Sequence, residues 1–89
     1  MSETREERWS RLERELTRLV NLVERKLDQR NTELLRDFIN NREYATALDW
    51  LYAVLTERLI NISPEEMAIM ARLAEDMGIK LRNRSGRNG

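Results

Sequence analysis

A chain of 89 residues, 36% charged and 40% hydrophobic, makes one small domain and excludes a large enclosed site, since such a chain buries only about 60–65% of its unfolded surface. The absence of cysteine excludes a disulfide framework and thiolate metal ligands, and the absence of histidine removes the side chain best suited to moving protons near neutral pH. The formal charge is zero but unevenly divided: residues 1–30 hold seven acids and eight bases (+1), residues 31–79 nine acids and four bases (−5), and residues 80–89 four bases (+4).

The amino terminus has no apolar signal core, and no run approaches the roughly 20 apolar residues that span a bilayer, so a cytoplasmic chain with no membrane partner is expected. The first helix is predicted from Trp9, Leu12, Leu16, Leu19, Val23 and Leu27, whose spacings of three and four form one stripe, with Arg and Glu on the other faces. Barely three heptads are present, so a coiled-coil homodimer through this helix is the weaker expectation. Asn31 or Thr32 is placed to cap a short second helix that buries Leu34, Leu35, Phe38 and Ile39 and ends at Asn40 and Asn41.

The third helix is predicted from about Arg42 to Leu59. At about 100° per residue, Tyr44, Leu48, Leu51, Leu55 and Leu59 share a sector of roughly 80°, with Ala45 and Tyr52 at its border. Trp50 falls about 140° from the centre of that sector, beside Glu43 and Glu57, with Thr46 and Ala53 nearby. Two readings of Trp50 follow. It fills a second contact, with Ala47 and Val54, against the first helix; or it is an exposed anchor for a partner, rimmed by Glu43, Asp49 and Glu57.

The fourth helix has the strongest local signal. Ser63-Pro64-Glu65-Glu66 supplies an N-cap, a proline at the first helical position and a glutamate at the third. Met67, Met70, Leu73, Ala74 and Met77 make its apolar stripe, and Gly78 suits the left-handed residue that ends a helix, with Ile79 folding back. The expected fold is all-α, a small four-helix bundle closed by a C-terminal helical hairpin, with residues 1–81 as the domain and 82–89 as a disordered basic tail.

Catalytic chemistry finds few groups here. The pairs Glu6-Glu7, Glu65-Glu66 and Glu75-Asp76 diverge by about 100° on a helix and do not converge on one proton or metal ion. The glycines all lie at or beyond Gly78, so no glycine-rich phosphate loop is present. The expectation is no enzyme, no metal and no cofactor. Arginine is abundant, but the fourth helix has one base, Arg72, against Glu65, Glu66, Glu75 and Asp76, which argues against a DNA-reading helix and against a nucleic-acid partner.

The run Glu43-Tyr44-(x)2-Ala47-Leu48-Asp49-(x)-Leu51, followed by Leu55, Glu57, Ile60, Ile62-Ser63, Glu66 and Leu73-(x)3-Met77-Gly78-Ile79, resembles the Maf-type immunity proteins of bacterial polymorphic toxin systems over about half of the chain. The resemblance implies a helical protein that binds the toxic C-terminal domain of a cognate toxin, often a nuclease, and neutralises it by occlusion. The acidic balance of residues 31–79 suits a basic partner of this kind, met on a surface of Trp50, Glu43, Asp49, Glu57, Thr46 and Ala53. The alternative from another class is a self-associating helical structural or adaptor module.

Overall fold

The computed structural model describes residues 2–81, which form four α-helices and no strand: α1 (Arg5–Val23), α2 (Gln29–Asn40), α3 (Tyr44–Glu57) and α4 (Pro64–Met77). The expected basic tail at 82–89 lies outside the described residues. None of the four helices is long and apolar enough to cross a membrane.

Capping chemistry fixes two of the starts. Thr4 accepts from the Glu7 N–H at 3.1 Å while its own N–H donates to Glu7 Oε1 at 2.9 Å, and Ser63 and Glu66 repeat this reciprocal pair at 3.1 and 3.0 Å. Each cap satisfies backbone donors that the helix leaves unpaired. The junction of α1 and α2 departs from the expected one. The first stripe breaks after Val23 into one 3-10 turn, Glu24–Lys26, and Leu27 is extended. The cap of α2 is Asp28, which accepts from the Asn31 N–H at 2.9 Å, and neither Asn31 nor Thr32 serves. The side chain of Asn31 is thereby released to face the rest of the bundle, and it is only 7% exposed.

α2, α3 and α4 end alike, with a 6→1 bond around a left-handed residue: Glu43 N–H to the Phe38 carbonyl at 2.8 Å around Arg42 (φ 62°), Ile60 N–H to Leu55 at 2.9 Å around Leu59 (φ 53°), and Ile79 N–H to Ala74 at 3.0 Å around Gly78 (φ 68°). Glycine adopts this conformation freely, whereas a side chain there costs about 1–2 kcal/mol. The turn at Leu59 also corrects the expected core. Because α3 stops at Glu57, the periodicity no longer applies two residues later, and Leu59 is 89% exposed.

α1 and α3 each pack against the other three helices, and α2 and α4 meet mainly through them. The core between them holds Leu12, Leu16, Leu19, Val20 and Val23 of α1, Leu35 and Ile39 of α2, Tyr44, Ala47, Leu48, Leu51 and Leu55 of α3, and Ile69, Met70, Leu73 and Ala74 of α4. Each fully buried leucine contributes about 1.5–3 kcal/mol by leaving water. In α4 the stripe is turned from its expected centre: Ile69 is buried and Met67 exposed, because the face toward α1 is covered as well as the face toward α3.

Candidate protein-binding face

α3 places Trp50 at its seam with α2. The indole N–H donates to Asn31 Oδ1 at 3.2 Å, and its ring meets Phe38 edge-on, with centroids 6.4 Å apart and planes at 66°. Asn31 is held in turn, since its N–H reaches Asp28 Oδ1, while Asp28 Oδ2 pairs with Arg58 Nη1 at 3.3 Å. The Asn31 N–H, aided by Arg58, holds the Asp28 carboxyl below its usual range despite some desolvation. A continuous line therefore runs from Phe38 through Trp50, Asn31 and Asp28 to Arg58, and it locks α2 to the C-terminal half of α3. Neither sequence reading of Trp50 foresaw this. Ala47 and Val54 are buried, but the indole leans on α2, not α1, and leaves 38% of its surface exposed.

The other selected residues separate into three groups. Glu43 and Glu57, at the two ends of α3, are exposed and make no ion pair among the described residues. Thr46 is exposed and Asp49 half-buried, and both line a shallow depression of about 340 Å³ with Ala45, Ile79 and Lys80, so the returning C-terminal segment adjoins this side of α3. Ala53 is 6% exposed and offers no contact surface.

The acidic hairpin expected from the charge division is also corrected. Arg11 of α1 pairs with Asp76 at 2.7 Å and Arg18 approaches Glu65 at 3.8 Å; Lys26, in the turn after α1, binds Glu66 at 2.8 Å. Arg8 adds a bond to the Asp76 carbonyl, and Arg11 also holds Glu3 at 2.8 Å. Three of the four α4 carboxylates, Glu65, Glu66 and Asp76, thus face bases from residues 8–26, whereas Glu43 and Glu57, at the two ends of α3, make no ion pair among the described residues.

The basic and acidic side chains of α1 line an open groove of about 500 Å³ along Ser10, Glu13, Arg14, Thr17, Arg18 and Asn21. Both signs of charge alternate there without converging. Among the described residues no cluster of three or more His, Cys, Asp or Glu is arranged to hold a metal ion, and no buried side-chain nitrogen or oxygen lacks a hydrogen bond.

Two residues of this region differ from the sequence reading, Asn31, expected as a cap, and Leu59, expected in the core, while Phe38 packs against the core as expected and also meets Trp50. A signal existed for the first, since Asp28 precedes Asn31 by the three residues of an N-cap pattern. Comparison of the chain with protein-family models, curated proteins and solved structures returned no match.

Proposed function

We propose that this chain is a protein-binding module that acts as an immunity protein: it docks on the toxic C-terminal domain of a bacterial polymorphic toxin and blocks it by occlusion, without catalysis. The observation that carries this reading is the state of Trp50, an aromatic side chain fixed by Asn31 and Phe38 yet left more than a third exposed, with the carboxylates of Glu43 and Glu57, which make no ion pair among the described residues, at the ends of the same helix. A rigid aromatic loses little entropy on binding and makes a good interface anchor, and carboxylates beside it favour a partner rich in Lys or Arg. The docking surface is accordingly the α2–α3 face, and the chain acts in the cytoplasm of the cell that makes it. The resemblance to Maf-type immunity proteins supplies the class of partner.

The test is co-expression with the C-terminal domain encoded by the gene directly upstream, followed by purification of a complex. Glu57→Lys is expected to slow association about tenfold at low salt and to flatten its salt dependence, as measured by stopped-flow mixing. An unchanged association rate and salt slope removes Glu57 from the surface. A concentration-dependent dimer of the chain alone, with no complex, favours the self-associating module instead.

A further inference from the structure

Three helices end on a left-handed residue, and the three differ in what justifies the residue there. At Gly78 the geometry alone is served. At Arg42 the guanidinium has a use within the chain, since it lies over the Trp9 ring with Cζ 5.1 Å from the centroid. At Leu59 neither holds: the backbone is strained, and the side chain is 89% exposed. Its neighbours emphasise the difference, because Ile60 and Ile62 turn inward and pack against the core. The charged groups beside it are also unequal. Arg58 is directed to Asp28, whereas Glu57 makes no ion pair among the described residues.

We propose that Leu59 is a second anchor for the partner of α3, an apolar plug that enters a socket bordered by Lys or Arg on a protein domain. This rests on the proposed binding of a basic domain and specifies a further point of its contact. Leu59 lies two residues beyond the last turn of the helix that carries Trp50, a reach that fits beneath one interface of standard size, about 800 Å² per partner. Strained residues cluster where a side chain serves binding, and at 89% exposure little of the Leu59 side chain is engaged by its own chain.

Leu59→Gly tests this sharply, because relief of the strain and loss of the plug move two measurements in opposite directions. The melting temperature of the free chain is expected to rise by about 4 °C. Affinity for the C-terminal domain encoded directly upstream is expected to fall about tenfold or more, chiefly through faster dissociation in surface plasmon resonance. Leu59→Asn, which also tolerates the left-handed region, is expected to lose affinity likewise. If the wild-type chain binds that domain and both variants bind it equally well, Leu59 is no anchor and the docking of α3 stands. If the wild-type chain does not bind it, the functional reading fails and takes this inference with it. A lower melting temperature for Leu59→Gly assigns the side chain to the chain's own packing and overturns the proposal. So does a wild-type dimer that Leu59→Gly converts to monomer in sedimentation, since the occupant is then a second copy.

Discussion

Replacing Trp50 with phenylalanine keeps an aromatic ring near Phe38 but removes the N–H that Asn31 accepts, and Asn31 is buried. A buried amide oxygen without its donor costs about 1–2 kcal/mol, so Trp50→Phe is expected to lose that much stability in urea unfolding. Trp50→Ala also forfeits the ring contact and is expected to lose more; equal losses for the two variants would place the whole effect in the hydrogen bond. The same residue shows how far a helical wheel reaches. About 100° per residue correctly set Trp50 apart from Tyr44, Leu48, Leu51 and Leu55, all of which are buried. It said nothing of which neighbour receives the indole, because that depends on Asp28 capping α2 and turning Asn31 inward. Ala53 fails as a contact because an angular position near Trp50 does not convey burial, and Ala53 is buried. Leu59 failed because an angle assumes that the helix goes on, and the chain enters the left-handed region there.

At the scale of an element, ends with distinctive chemistry were legible and ends without it were not. Ser63-Pro64-Glu65-Glu66 starts α4 and Gly78 stops it as expected, whereas α1 breaks after Val23 with no Gly or Pro to announce it. Glu66 does more than the capping box requires, since its carboxylate accepts from the Ser63 N–H and also from Lys26 Nζ, which binds the Asn61 carbonyl as well. It therefore ties the start of α4 to the turn after α1. Burial pushes the Glu66 carboxyl up, but Lys26 and the Ser63 N–H outweigh it and hold it below the ordinary 4.5. A carboxyl lowered on folding stabilises the folded state above its unfolded value, and that contribution is lost as pH falls through the folded value. Lys26→Met is expected to cost about 2 kcal/mol near neutral pH, and its difference from wild type should shrink steadily below pH 4.5. Urea titrations of both chains across this range check it; a difference independent of pH would exclude the ion pair as the cause.

Across the whole molecule, opposite charges remote in sequence are neighbours in space, which is why a division of charge by segment misplaced the acidic surface. Residues 31–79 carry a net −5, yet three of their carboxylates, Glu65, Glu66 and Asp76, lie against Arg18, Lys26 and Arg11 from the first segment. The four-helix architecture followed from periodicity, but the pairing of α1 with α4 across the bundle did not, since no local pattern encodes which distant helix lies alongside. These pairs assign different electrostatic roles to the two sides: one fastens α1 to α4, and on the other Glu43 and Glu57 make no ion pair among the described residues. Salt should therefore act on them separately. A double-mutant cycle on Arg11 and Asp76 is expected to give a coupling of about 0.5–1 kcal/mol in folding stability, falling as salt screens the partly exposed pair. The same two substitutions should leave the association rate with a basic domain almost unchanged, because α1 and α4 carry them and the proposed encounter is on α2 and α3. A cycle that shifts association as strongly as Glu57→Lys would move the docking surface to the α1–α4 side.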